Sequence, residues 1–253
     1  MKTLSERMKS YEQVYNTRLT PRTPVIIRVD GVAFHTFTKK FDKPFDIVFR
    51  EAMKNTMLRL CENLQGAVFG YTQSDEISIL LIDYSNLDST PWYNYRTQKV
   101  CSIAASLATM YFNKEFSEMA YSDCYKANEG TAYFDARCFN IPESDVINYF
   151  IHRQKDAIRN SISMVGQYYI PKEDLKGLSG KEIVDKLLSD YDVCWYSYEK
   201  EYRYGVSAKK KSATIETLNG VTTRRKWVLN THIPDFSINK EYIKDTFKIK
   251  EEH

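Results

Sequence analysis

The sequence is poor in glycine and lacks the motifs that glycine-rich phosphate loops require. Only 9 of its 253 residues are glycine, and without a Walker or dinucleotide-binding pattern a P-loop or Rossmann enzyme is not expected. The five cysteines form no C-x-x-C pair and have no histidine beside them at zinc-ligand spacing. Such a set favours free thiols in a reducing compartment over disulfides or a zinc site. No Ser-His-Asp or Cys-His grouping stands out either.

The chain also lacks a strong net charge and a long apolar run. Its formal charge of +3 is too small to indicate nucleic-acid binding by itself. Met1–Tyr15 has no apolar core like that of a signal peptide. The most apolar helical stretch, Ser102–Phe112, is far too short to span a membrane. We therefore expect a soluble cytoplasmic protein that has no membrane partner.

Residues 1–140 alternate between strand and helix patterns. The pattern predicts a strand, a helix, two strands, a helix and a strand, at Val25–Asp30, Asp46–Asn63, Ala67–Tyr71, Ile77–Ile82, Arg96–Phe116 and Thr131–Phe139. This order is typical of the α+β ferredoxin-like (βαββαβ) arrangement, an antiparallel sheet with two helices on one face. Because that fold hosts many unrelated functions, it does not settle the chemistry.

The pattern changes beyond Pro142. A long helix is predicted over Glu143–Tyr169 and a shorter one over Lys181–Leu188. Asn219-Gly220 then indicates a β-hairpin between the strand-like segments that flank it, Ala213–Ile215 and Trp227–Leu229. The charged tail, Lys240–His253, is expected to fray. We predict a catalytic core of residues 1–140 and a C-terminal helical and β-hairpin extension of residues 141–253 packed on it.

Three carboxylates are placed to converge in this fold. Asp30 closes the first strand, and Asp75 and Glu76 occupy the turn of the predicted hairpin. Converging carboxylates repel one another unless cations neutralise them. Two Mg²⁺ ions about 4 Å apart would clamp the attacking and leaving oxygens of a phosphoryl transfer, and the missing side chain of Gly31 would let a phosphate or metal approach the backbone. An acidic pair in a turn is usually only solvated, so both interpretations stay open.

Basic residues occur near the carboxylates in sequence and again in an aromatic segment of the extension. Trp195–Lys211 interleaves aromatics with cations, and Arg224–Lys226 adds a second basic cluster. Stacking and phosphate neutralisation are how proteins hold single-stranded RNA ends. A half-buried sheet with a solvated lysine edge explains the same pattern equally well.

Two segments resemble the first two motifs of the tRNA(His) guanylyltransferase family. The first is Arg28-Val29-Asp30-Gly31, with Phe34-His35 just after it, and the second is Gln73-Ser74-Asp75-Glu76. The spacing between the motifs agrees with the family, as does Lys43-Pro44 between them. The resemblance covers most of the chain but is looser at Arg153-Gln154, Asp156, Tyr202-Arg203 and Gly205.

The resemblance implies a palm-like core, similar to that of conventional polymerases, that adds nucleotides in the 3′-to-5′ direction. Members of the family activate a 5′-monophosphate RNA end with ATP or GTP. The 3′-hydroxyl of the incoming nucleotide then attacks the activated end. The implied partners are tRNA, ATP, GTP and two Mg²⁺ ions, and the implied assembly is a homotetramer.

The resemblance also assigns roles position by position. Asp30, Asp75 and Glu76 would be catalytic, with Asp30, Asp75 and the Gly31 carbonyl binding metal. The implied nucleotide-binding residues are Asp30, Gly31, Val32, Ala33, Phe34, His35, Lys43, Asp46, Ser74, Asp75 and Lys99, of which Lys43 and Lys99 would contact phosphates. We further predict RNA contacts from Arg96, Arg153, Asn160, Arg203, Lys209, Lys210 and Lys211.

One departure from the family separates its branches. Eukaryotic members carry a His-Ile-Asn-Asn-Leu-Tyr-Asn run, where this chain has Ile158–Met164 and keeps only the first asparagine, as Asn160. This resembles the bacterial and archaeal relatives, which favour template-directed repair of tRNA 5′ ends. We therefore predict a template-dependent 3′–5′ nucleotidyltransferase for 5′-end repair. A nucleotide cyclase with the same palm, or a non-catalytic tRNA-binding protein, are the alternatives.

Overall fold

The structure, a computed structural model, describes residues 2–217 and 220–247. Its strands are β1 (Val25–Gly31), β2 (Ala67–Gln73), β3 (Glu76–Leu81), β4 (Phe134–Asn140), β5 (Val206–Thr217) and β6 (Gly220–Asn230). Its helices are α1 (Leu4–Gln13), α2 (Phe34–Phe37), α3 (Ile47–Asn63), α4 (Thr97–Met119), α5 (Asp123–Lys126), α6 (Glu143–Tyr169), α7 (Lys172–Leu175), α8 (Gly180–Tyr191), α9 (Lys200–Tyr204) and α10 (Glu241–Phe247). Short 3₁₀ turns lie at Trp92–Tyr95 and Trp195–Ser197.

The six strands form one antiparallel sheet in the spatial order β4-β1-β3-β2-β5-β6. The first four strands have the order of a ferredoxin-like sheet, and α3 and α4 pack on one face of it. The predicted α+β fold class is therefore confirmed. The long helix predicted over Glu143–Tyr169 is present as α6 with the same bounds.

Strand β1 is buried on both faces of the sheet, which explains its continuous β-branched run. Ile27 and Val29 point to α3 and α4, in the same core cluster as Met57 and Phe112. Ile26 points to the opposite face, in a second cluster that includes Phe150 of α6. The sheet is thus a central layer between α3/α4 and α6, and the carboxylates at the end of β1 are anchored by both cores.

The C-terminal extension continues the same sheet. Thr72 of β2 pairs with Val206 of β5, and β5 pairs with β6 along its length. The predicted hairpin is confirmed by the pairing of Thr217 with Gly220, although Asn219 lies outside the described residues. The division at residue 140 stays a prediction.

The prediction that the tail frays is wrong for Glu241–Phe247. These residues form α10, in which Ile243 and Phe247 are buried. The two side chains lie one helical turn apart, so both reach the cluster around Phe69. Residues 248–253 lie outside the described part of the chain. Across residues 2–217 and 220–247, no helix is both long and apolar enough to cross a membrane.

Candidate active site

The sheet brings the acidic residues of the two motifs together. Asp30 and Glu76 are directly paired across β1 and β3, so their side chains leave the same face of the sheet. The Gly31 N–H donates a 3.0 Å hydrogen bond to the Asp75 carbonyl, which fixes the β2–β3 turn against the end of β1. Ser74 in this turn has a positive φ of 50°. The predicted convergence of the strand end and the hairpin turn is present.

Asp75 and Asp30 carry negative charge that the protein neutralises poorly. Burial raises the pKa of Asp75, and the nearby charge of Asp30 raises it further. Hydrogen bonds from the Asp75 backbone and from Ser74, together with the charge of His35, oppose this rise. The nearest cation to Asp30 is Arg137, with Nη2 3.8 Å from Oδ2 and about half of its side chain exposed. An exposed pair at that distance is weak. Two half-buried carboxylates without a strong partner fit a divalent cation that keeps part of its water shell.

Glu76 has a different environment from the two aspartates. It is buried, and its Oε1 accepts hydrogen bonds from Arg153 Nε of α6 at 2.9 Å and from Ser78 Oγ at 3.2 Å. Arg28 Nε lies 3.9 Å from Oε2. Burial raises the Glu76 pKa, and the charges of Arg153 and Arg28 oppose that shift. The Glu76 carboxylate is therefore held by Arg153 of α6.

In the described part of the chain, no group of three or more histidine, cysteine or acidic side chains is arranged to hold a metal. The protein donors left for a metal are the carboxylates of Asp30 and Asp75 and the backbone of Gly31. Mg²⁺ commonly uses one or two carboxylates and completes its shell with waters and substrate phosphates, so this small donor set suits it.

The loop after β1 is fixed by its own packing. The Val32 N–H donates to the Tyr133 carbonyl at 3.0 Å, and Ala33, with a left-handed φ of 57°, precedes α2. Phe34 is buried among other phenylalanines of the α3/α4 core, so its side chain is not available to a nucleotide. His35 is exposed. A nucleotide contact from Phe34 is thus limited to its backbone.

Gly31 is required by this packing rather than by an approaching phosphate alone. A Cβ at this position would clash with the Cδ2, Cγ and Cε2 atoms of the Phe34 ring. The close approach lets Phe34 enter the core directly below the turn.

Lys43 and Asp46 lie on the segment that leads into α3. Lys43 is exposed, and its Nζ donates to the Thr38 carbonyl at 3.1 Å. Asp46 is buried as the N-cap of α3: Oδ1 accepts the Phe49 N–H at 2.7 Å, and Oδ2 accepts the Tyr125 hydroxyl at 2.7 Å. A third donor, the Asp42 N–H, also reaches Oδ2. The role of Asp46 in the structure is to cap a helix, and its contact with a nucleotide stays a prediction.

Arg96 and Lys99 are not brought to the carboxylates within one chain. Arg96 is the N-cap of α4, and the neighbouring Thr97 carbonyl lies 3.8 Å from Cys138 Sγ. Cys138 pairs with Ile27, four residues and about 13 Å along β1 from Gly31. The Lys99 Nζ lies 4.6 Å from the centre of the Tyr93 ring. The expected phosphate contact of Lys99 therefore has no support from the position of its side chain.

Two of the predicted RNA-binding arginines are used inside the protein. Arg153 is buried between Glu76 and Asp156, with Nη2 2.8 Å from the Asp156 carboxylate, so its guanidinium is engaged within the chain and its contact with RNA stays a prediction. Arg203 Nε donates to the Tyr198 carbonyl at 2.8 Å, and its guanidinium lies over the Trp195 ring. Sequence alone does not separate such internal cations from surface ones.

The other predicted RNA contacts lie on two separate surfaces. Asn160 is exposed on α6 and lines a cleft that also contains Asp46 and Ser74. On β5, Lys209 lies 3.7 Å from the centre of the Tyr242 ring, while Lys210 and Lys211 are exposed beside a broad cleft that Arg225 also lines. The surface formed by the β5 lysines and Arg225 is more basic than the cleft beside Asn160.

A palm-type sheet that presents two acidic residues at one end is the arrangement of a nucleotidyltransferase. Residues 5–142 match the family model of tRNAHis guanylyltransferase (Thg1). Two structures of bacterial Thg1-like proteins are each 36% identical to this chain. The first, a complex with ATP, has a TM-score of 0.87, and the match covers 98% of this chain and 100% of that one. The second, a complex with GTP, has a TM-score of 0.81, and the match covers 97% of this chain and 99% of that one. The chain belongs to the tRNAHis guanylyltransferase family.

A viral relative extends the comparison. An uncharacterised protein of Acanthamoeba polyphaga mimivirus is 29% identical over 244 residues, which cover 87% of this chain and 82% of that protein. The resemblance drawn from the two motifs is confirmed, and the bacterial-type branch agrees with the two bacterial structures. The chain is therefore a nucleotidyltransferase by family.

Proposed function

We propose that this protein is a template-dependent 3′–5′ nucleotidyltransferase that adds nucleotides to tRNA 5′ ends and repairs truncated ones. The observation that carries the proposal is the pairing of the Asp30 strand end with the Asp75 turn through the Gly31–Asp75 hydrogen bond. Membership of the tRNAHis guanylyltransferase family supports tRNA as the substrate. The ATP and GTP complexes of the bacterial neighbours support both nucleotides as ligands.

We propose further that Asp30, Asp75 and the Gly31 carbonyl hold two Mg²⁺ ions. The ions would neutralise phosphate charge and polarise the reacting phosphoryl group. The exposed His35 and Lys43, together with Ser74 and the backbone of Val32–Phe34, would bind the triphosphate. Glu76, held by Arg153, would keep the start of β3 and the Asp75 turn in place.

The proposed reaction has two steps at one site. The 5′-monophosphate of the RNA first attacks the α-phosphorus of ATP or GTP, and pyrophosphate leaves. The 3′-hydroxyl of the incoming nucleotide then attacks the activated 5′-phosphate, and the activating mononucleotide leaves. The residues around Asp30 would position these oxygens in line, which is the main contribution of a protein to phosphoryl transfer.

Transfer of label from GTP to a tRNA lacking its 5′ nucleotide tests the proposal. We expect Mg²⁺-dependent transfer by the parent protein and at least a hundredfold loss in Asp30→Asn and Asp75→Asn, because each removes a charged metal donor. Asp190→Asn, on the surface of α8, is the matched control and should keep parental activity. Full activity in either site variant would contradict the metal assignment.

The same assay separates the two alternative functions. A cyclic nucleotide formed from GTP without RNA would identify a cyclase, since the palm would then act on the nucleotide's own 3′-hydroxyl. Tight tRNA binding without turnover or a Mg²⁺ effect would identify a binding protein. Sequencing of the products made from several truncated tRNAs would show whether the added nucleotide follows the template.

We also propose that four chains assemble. Helix α1 buries none of its residues in its own chain, and its apolar side chains Leu4, Met8, Tyr11 and the following Val14 and Tyr15 are exposed. An isolated ten-residue helix is marginal in water without packing partners. Sedimentation equilibrium should give four times the 29.7 kDa mass of one chain, and a monomer at micromolar concentration would exclude the tetramer.

A further inference from the structure

Two thiols with no part in the proposed reaction face each other beside the edge strand. Cys101 lies near the start of α4 and Cys138 in the middle of β4, and their sulfurs are 3.4 Å apart. Both side chains are partly exposed, whereas Cys61 is buried in the core. The pair is therefore close enough to react together and accessible enough to meet a small reagent.

The environment makes the two thiols unequal. The side-chain contact with the Cys138 sulfur lowers the pKa of Cys101 to about 7, against partial burial. The same contact, together with burial, raises the pKa of Cys138. Because the thiolate is the nucleophile in thiol chemistry, Cys101 is suited to attack first and Cys138 to follow.

We propose that Cys101 and Cys138 form an oxidisable dithiol, which a low-molecular-weight disulfide such as oxidised glutathione converts into an intramolecular disulfide. The Cys101 thiolate attacks one sulfur of the reagent, whose S–S bond breaks, and one small thiolate leaves. Cys138 then gives its proton to solvent and attacks the Cys101 sulfur, and the second small thiolate leaves. The protein loses two electrons and two protons, and the reagent gains them as two thiols.

The cross-link requires little movement. Disulfide sulfurs lie about 2.05 Å apart, so the two atoms must approach by about 1.4 Å. The bond would tie α4 to β4, the edge strand of the sheet on the side of β1. Arg137, next to Cys138, points to the other face and lies near Asp30. The site is thus adjacent to the carboxylates without containing any of them, and it does not depend on the proposed function.

Thiol mapping of the intact, reduced protein tests the proposal. After treatment with oxidised glutathione and alkylation of the remaining thiols, we expect two of the five thiols to be lost together. Mass spectrometry of the digest should show one linked pair of peptides that contain Cys101 and Cys138, and dithiothreitol should restore both. Cys194→Ser, which removes an exposed thiol elsewhere, is the matched control and should behave like the parent.

Single replacements keep the test decisive. In Cys101→Ser, Cys138 should stay open to alkylation, and in Cys138→Ser, Cys101 should stop at the mixed disulfide with glutathione. Phenylarsine oxide, which bridges two nearby thiols, should bind one-to-one to the parent and to Cys194→Ser and at least tenfold more weakly to either single variant. Stable mixed disulfides on both cysteines of the parent, with no linked peptide, would overturn the proposal.

Discussion

Asp75 is more costly to ionise in the folded chain than in the unfolded one, because burial and the charge of Asp30 raise its pKa above the ordinary value of 3.8. This loss of folding stability begins as the pH rises above 3.8, the ordinary pKa of the carboxyl, and is complete above the raised pKa of the folded chain. A bound divalent cation would offset it.

We expect Asp75→Asn to stabilise the protein in metal-free buffer while it abolishes activity. At neutral pH the gain should be about 0.5–2 kcal/mol, the usual range for relieving unfavourable charge. The gain should shrink as the pH falls from the raised pKa of Asp75 towards 3.8 and vanish below 3.8, because the carboxyl is then protonated in both the folded and the unfolded chain. Urea unfolding at several pH values, with and without Mg²⁺, measures both effects. Equal stability of parent and variant at pH 7 without metal would contradict this account.

The pair of Glu76 and Arg153 distinguishes positioning from metal binding. Both side chains are buried and joined at 2.9 Å. Each keeps a second ionic partner, Arg28 for Glu76 and Asp156 for Arg153, so removing one of them should cost less than the loss of about 3–5 kcal/mol for a buried charge left with no partner. We expect Glu76→Gln and Arg153→Met each to be destabilised and the double variant to recover part of the loss in urea unfolding. If Glu76 acts only by positioning, the double variant also recovers part of the activity and keeps the parental Mg²⁺ dependence. A stable but inactive double variant would assign Glu76 a direct contact with metal or substrate.

At the scale of elements, α3 depends on its N-cap. Asp46 accepts hydrogen bonds from the Phe49 N–H and from the hydroxyl of the buried Tyr125. Asp46→Ala should lower stability by about 2–4 kcal/mol, because a lost cap costs about 0.5–2 kcal/mol and a buried hydroxyl without a partner about 1–3 kcal/mol. Ser179→Ala, at the exposed cap of α8, should lose only about 1 kcal/mol. Thermal unfolding measures both, and equal losses would show that the Tyr125 contact adds nothing.

The elements of the βαββαβ core could be predicted because each has a strong local pattern. The β-branched run of β1 and the helical spacing of α3 and α6 specify their structures without help from distant residues. Helix α10 could not be predicted in the same way, because only Ile243 and Phe247 in a charged segment carry its packing. Its order comes from tertiary burial, which a window of seven residues does not reveal.

The candidate site could be predicted only as far as its motifs extend. Asp30 and Asp75 follow from two strand ends, but nothing local indicates that Arg137 lies near Asp30 or that Arg153 is buried against Glu76. The phosphate contact that the resemblance implies for Lys99 stays a prediction, and nothing local indicates that its Nζ lies over the Tyr93 ring. Long-range packing of α4, α6 and β4 decides all three.

At the scale of the whole molecule, the small net charge hides a basic ribbon. Only Val206–Lys209 of β5 pair with β2, and among the described residues the rest of β5 pairs with β6 alone. The exposed cations of this ribbon are Lys210, Lys211, Arg224, Arg225 and Lys226. A two-stranded ribbon with five exposed cations is suited to track a nucleic-acid backbone, where affinity depends on phosphate neutralisation.

We expect the ribbon to bind tRNA through phosphates, away from the carboxylates. Lys211→Ala with Arg225→Ala should weaken tRNA binding and reduce the salt slope of log Kd by about one for each cation removed. The variant should retain label transfer at saturating tRNA, because the ribbon cations are far from the carboxylates. Lys209 pairs with Phe69, which lies four residues and about 13 Å along β2 from Gln73, and the ribbon cations lie beyond Lys209. Lys172→Ala, an exposed cation on α7, is the control and should leave the slope unchanged.

Filter binding over a range of salt concentrations measures the slope. A parental slope and affinity in the double variant would place the tRNA on another surface, of which the cleft beside Asn160 is the next candidate.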